Sequence, residues 1–116
     1  MHVLYVVVTV ITIAANAGIA VADFAKAAFV LANSAEVGTP PSWIPTLAAL
    51  KACGAVGLTL GLLGVRFIGI AAAIGLVLFF GATMGAHVRA RVFHNIAFPG
   101  AYLALSVASL GLVVAQ

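Results

Sequence analysis

Seven charged side chains, Asp23, Lys26, Glu36, Lys51, Arg66, Arg89 and Arg91, are all that 116 residues provide. A water-soluble domain devotes about a quarter of its residues to charge. Here 66% of the residues are hydrophobic and the mean hydropathy is +1.32, so the chain has little with which to face water on every side. The solvent it suits is lipid. A backbone in lipid must satisfy its own N–H and C=O groups, and long uncharged runs do so as helices, about 20 residues of which cross the hydrocarbon. The net charge of +3 is too small and too dispersed for nucleic-acid binding.

The breakers divide the chain, a single transmembrane domain over residues 1–116, into four spans. The first apolar run, from about Val3 to Ala22, continues through Asp23 and Lys26 in helix-forming residues and reads as one long helix over 2–32. Asn33 to Ser42, with Gly38, Pro40 and Pro41, is the long loop. Ser42 is placed to cap the second span, 43–63, and Pro45 is tolerated in its first turn. Gly64-Val65-Arg66 is a tight turn into the third span, 67–88, and Arg89, Arg91, His94 and Asn95 connect it to the fourth, 96–114. The expected fold is therefore all-α, an integral membrane four-helix antiparallel bundle running up-down-up-down. Both termini then share a face with Arg66. The opposite face carries Arg89 and Arg91 and is expected to be cytoplasmic, leaving the termini non-cytoplasmic. Ala15-Asn16-Ala17 resembles a cleavage site, but no Lys or Arg precedes it, so the segment is read as retained.

Small residues mark where helices can meet. At about 100° per residue, Gly54, Gly57, Gly61 and Gly64 occupy an arc of roughly 80°. Gly81 and Gly85 repeat the small-xxx-small spacing on the next helix. In water each glycine would cost about 1 kcal/mol relative to alanine. In a bilayer such glycines let a neighbouring backbone approach, and all six are read as helix-packing positions.

Polar residues mark the interior. On the first helix His2, Tyr5, Thr9, Thr12 and Asp23 all lie within about 40° of Asn16. On the fourth, Asn95, Pro99, Tyr102, Ser106, Ser109 and Gln116 share an arc of about 100°. These stripes predict a common seam between the first and fourth helices, against the glycine stripe of the second. Asp23 and Lys51 each lie eight residues from the loop-side ends of their helices, at about Leu31 and Trp43, or roughly 12 Å deep. Thr83, His87 and Tyr102 fall near the same level. With Asn16, these residues can be an Asp23–Lys51 ion pair that fixes register without chemistry. They can equally line a pocket with an apolar floor and a polar mouth, suited to a lipophilic molecule with a polar head. Proton coupling through Asp23 or His87 is a third reading. Arg89 and Arg91 read as interfacial residues reaching for headgroups.

Catalytic signatures are missing from the sequence. There is no Ser-His-Asp spacing, phosphate loop or Cys/His metal pattern, and two carboxylates leave general acid–base chemistry few players. Cys53 stands alone in an apolar span and reads as a small packed hydrophobe.

Four segments carry a resemblance. They are Gly38-Thr-Pro-Pro-Ser-Trp43; Leu47-Ala-Ala-Leu-Lys51 with Gly54, Gly57 and Gly61; Ala71-Ala-Ala-Ile-Gly-Leu76; and Gly85-Ala-His87-Val-Arg89-Ala-Arg91. In order and spacing, over most of residues 38–91, they resemble the DoxX-like family of small four-helix membrane proteins. The resemblance implies that architecture and a bacterial inner (cytoplasmic) membrane location, but transfers no catalytic residue. The family takes its name from a subunit associated with thiosulfate and quinone chemistry, and other members resemble accessory partners in redox systems. Cys53, being alone, argues against a thiol-redox role. The leading reading is a non-catalytic accessory protein with no resident cofactor, binding a lipid or quinone between its helices and contacting the bilayer, a membrane protein partner or a second copy of itself. One alternative is a subunit of a quinone-linked membrane redox complex. Another is a small proton-coupled or drug transporter, a class that needs a carboxylate where this chain has Asn16.

Overall fold

Four helices long and apolar enough to cross a membrane dominate the structure, a computed structural model that describes residues 2–116: α1 (His2–Phe24), α3 (Ile44–Leu62), α4 (Arg66–Arg89) and α5 (Ala97–Val114). A short helix, α2 (Ala28–Glu36), and a 3-10 turn (Pro41–Trp43) lie between α1 and α3. Among the described residues there is no strand, so the fold class is all-α. The molecule measures 39 Å along its longest axis, enough to cross a hydrocarbon layer of about 30 Å.

The single helix expected over 2–32 is broken. α1 ends at Phe24, where the Lys26 N–H donates to the Asp23 carbonyl and the Ala27 N–H to the Ala22 carbonyl, both at 3.0 Å. These paired bonds form a Schellman cap, with Lys26 in the left-handed region at φ 52°. The same arrangement ends α2 at Gly38, α3 at Gly64 and α4 at Arg91. Glycine reaches that conformation freely, whereas Lys26 and Arg91 do so against a Cβ clash of about 1 kcal/mol. Gly64 is therefore a turn residue and not a packing residue. Two smaller expectations also change. Asn33 to Glu36 belong to α2, which shortens the long loop. Ser42 lies inside the 3-10 turn, and α3 has Trp43 at its N-cap with no side-chain capping bond.

The glycine stripe of α3 packs against α4, not against the α1–α5 seam. A Cβ on Gly54 would lie 2.6 Å from the Leu76 side chain, one on Gly57 2.6 Å from the Ala72 Cβ, and one on Gly61 2.7 Å from the Gly69 Cα. As the positions rise along α3 they fall along α4, so the two helices run in opposite directions. Gly64, Gly81 and Gly85 would meet nothing within 4 Å. Gly81 and Gly85 face outward on α4, and their expected packing role is not met within this chain.

The polar stripes of α1 and α5 do meet. Thr12 donates to the Val8 carbonyl at 2.8 Å, so its hydroxyl oxygen is free to accept from Ser109 Oγ, also at 2.8 Å. One turn along, Tyr102 Oη donates to the Ala15 carbonyl at 3.0 Å. At the far end Arg66 donates to the Val113 and Val114 carbonyls, closing the last turn of α5 onto the start of α4. Polar Thr9, Thr12, Asn16, Ser106 and Ser109 are fully buried, while Val3, Leu63, Phe67 and Leu78 are on the outside. Such an inside-out distribution suits lipid as the surrounding solvent. The chain is a multi-pass membrane protein.

Alanine at Gly61 would have to displace backbone, whereas alanine at Gly81 projects into open space. Gly61→Ala is expected to lower stability in detergent by about 1–3 kcal/mol. Gly81→Ala should leave it unchanged or raise it by up to about 1 kcal/mol. Equal losses in thermal denaturation would contradict the α3–α4 contact.

Candidate functional site

α3 begins at Ile44, seven residues before Lys51, whereas α1 ends one residue after Asp23. With Asp23 and Lys51 side by side, α3 overreaches the end of α1 by about 10 Å. The last turns of α4 and the first turns of α5 stand beside this step. The chain roofs it by turning at Lys26 and laying α2 across. Val30 of α2 is buried against Ile19 of α1 and Ile44 of α3. Between this roof and the bundle end lies a cavity of about 480 Å³.

Its polar side is the pair Asp23–Lys51. Lys51 Nζ donates to Asp23 Oδ2 at 2.7 Å, and the two side chains are 13% and 4% exposed. The ammonium also lies 5.4 Å from the centre of the Phe79 ring, a cation–π placement that helps replace lost water. Asp23 is in the last turn of α1 rather than two turns inside a longer helix. It is buried there all the same, so depth counted to Leu31 is not what buries it. Lys26, exposed and in the turn, is not its partner.

Thr83, His87 and Tyr102 line the same cavity. Thr83 donates to the Phe79 carbonyl at 3.0 Å, and His87 Nδ1 lies 2.9 Å from the Thr83 carbonyl. Tyr102 stacks on Phe98 and tilts against Phe80, each ring centroid 5.2 Å away. Asn16 does not line the cavity. It is fully buried two turns below Asp23, where Nδ2 donates to the Thr12 carbonyl at 2.9 Å. Arg89 and Arg91 are exposed beyond the end of the cavity.

Sequence spacing left out the residues of the roof. Asn33, read as the start of a loop, accepts from Asn95 Nδ2 at 2.7 Å, and Glu36 lies 3.1 Å from His94 Nε2. These contacts tie α2 to the α4–α5 connection. Ile44, Phe79, Phe80 and Phe98 supply apolar walls, and Trp43 stands among them. Apart from Trp43, which ends the Gly38–Trp43 segment, no motif marks them. They become a site because Lys26 takes a backbone conformation that its residue type disfavours.

A model of the DoxX-like family matches residues 7–109, which include all four long helices in whole or in large part. The chain belongs to the DoxX-like family. No curated protein and no solved structure matches it. In this DoxX-like protein every residue of the cavity lies within the matched region.

Removing one member of a nearly dry ion pair strands the other in an apolar site. Asp23→Asn and Lys51→Met are each expected to cost about 3–5 kcal/mol. The double variant should recover a large part of that loss, because no uncompensated charge remains. Strictly additive losses in thermal or denaturant unfolding would show that the two groups do not depend on one another.

Proposed function

We propose that this protein is a non-catalytic accessory protein of the bacterial inner membrane that holds a lipophilic molecule, a lipid or a quinone, by its polar head at one end of the bundle. The observation that carries the reading is the cavity itself. Its volume of about 480 Å³ falls in the range of about 300–1,000 Å³ typical of small-molecule sites. Ile19, Val30, Ile44, Phe79 and Phe80 supply apolar walls, while Asp23, Lys51, His87 and Tyr102, with Asn33, Ser34, Thr39 and Asn95, supply polar atoms. That division matches a molecule with a greasy body and a small polar head.

Binding without turnover is favoured by the same geometry. Asp23 is already engaged by Lys51, and Glu36, the other carboxylate, lies outside the cavity beside His94. No second carboxylate is therefore available to share acid–base work with the first. Lys26, Arg89 and Arg91 lie at the cavity end and Arg66 at the other, a distribution that under the positive-inside rule supports a cytoplasmic cavity with both termini outside.

Native mass spectrometry of gently extracted protein tests the proposal. The expected result is one retained lipid or quinone per chain, lost when Ala86, on the cavity wall, is replaced by Phe. Identical spectra for Ala86→Phe and the unmodified chain, each showing only loosely held lipid, would overturn it.

A further inference from the structure

Two residues that line the cavity, His87 and Asn95, each carry a buried side-chain acceptor with no partner among the described residues. His87 is fully buried, and its Nδ1 faces the Thr83 carbonyl oxygen at 2.9 Å. A carbonyl can only accept, so Nδ1 carries the proton, and in that tautomer Nε2 presents a lone pair. Nε2 is buried and has no partner among the described residues. Asn95 gives its amide proton to Asn33, and its Oδ1 is likewise buried without a partner. Asp23 meets Lys51 through Oδ2, which leaves Oδ1. The hydroxyl protons of Thr83 and Tyr102 are committed to the carbonyls of Phe79 and Ala15. Donors are present too: Lys51 keeps two of its three N–H groups outside the bond to Asp23, and Asn33 and Asn95 keep amide N–H groups beyond the bond between them.

A ligand head that only accepts, such as a carbonyl, an ether or a phosphodiester, could satisfy Lys51 and would leave His87 Nε2 bare. A hydroxyl can accept from Lys51 and donate to an acceptor. We infer that the cavity selects a lipophilic molecule with a hydroxyl head, a phenol, a hydroquinone or a long-chain alcohol, and that His87 Nε2 is the specificity-determining acceptor. This rests on the proposed ligand-binding role and narrows it, favouring a hydroquinone over its quinone and a hydroxylated lipid over a phosphodiester headgroup. A buried acceptor left unpaired by the wrong ligand is the usual source of such discrimination.

The test uses two probes of nearly the same shape, para-octylphenol and its methyl ether, titrated into the full chain in lipid nanodiscs. Trp43, the single tryptophan, lines the cavity and reports occupancy by its emission. The phenol is expected to bind at least about tenfold more tightly than the ether. In His87→Phe, which keeps a ring and loses the acceptor, the preference should collapse. Equal binding of the two probes to the unmodified chain would overturn the inference while leaving the cavity as a ligand site. A preference that persists in His87→Phe would overturn the role of His87. No response to either probe would overturn both this inference and the proposed function. The comparison on the unmodified chain decides the matter even if His87→Phe does not fold.

Discussion

One buried ion pair sets the terms for the rest of this molecule. A chain with two carboxylates puts one of them, Asp23, where its side chain is 4% exposed. An unpaired charge there would cost several kcal/mol or be neutralised. Lys51 meets it at 2.7 Å from the neighbouring helix, which fixes the register of α1 against α3. That register in turn leaves α3 standing beyond α1, and the overhang makes a cavity once α2 has folded across it. The pair therefore specifies position more than it supplies stability, in keeping with the modest net worth of buried ion pairs.

The remaining contacts divide the labour between two seams. α3 and α4 approach through missing side chains, closest where Gly61 faces Gly69. α1 and α5 approach through hydroxyls, with Ser109 donating to Thr12 and Tyr102 to the Ala15 carbonyl. Neither seam draws on a hydrophobic force between helices, since the lipid outside is as apolar as the side chains facing it. Close backbone contact and internal hydrogen bonds are what remain, and both are needed. The extra apolar packing at the cavity end, where Val30 meets Ile19 and Ile44, is the work of a helix too short to cross a membrane.

The membrane class, the helical architecture and the four long apolar helices are legible in the sequence, because scarcity of charge and run length decide them. The interior faces of α1 and α5 are legible for a related reason: in lipid, polar periodicity points inward. What misleads is the αL turn at Lys26. Helix stops are read from glycine and proline, and a lysine in that conformation gives no such signal, so one helix over 2–32 is the natural expectation and the roof disappears with it. Depth counted from Leu31 is wrong for the same reason. The glycines mislead differently, since spacing alone cannot say which neighbour Gly54, Gly57 and Gly61 meet, or that Gly81 and Gly85 meet none within the chain. Five of the six residues singled out for the polar pocket line one cavity, and Asn16, on the same stripe, lies two turns below it.

Everything said of the cavity depends on α2 lying across the end of the bundle, where Asn33 and Asn95 touch at 2.7 Å. Disulfide trapping measures that directly. In a Cys53→Ser background, Asn33→Cys with Asn95→Cys should oxidise within one chain in native membranes and run faster on a non-reducing gel, with reversal by reductant. Failure of this pair to cross-link under mild oxidation, in a double variant that folds and inserts normally, would contradict the roofed cavity.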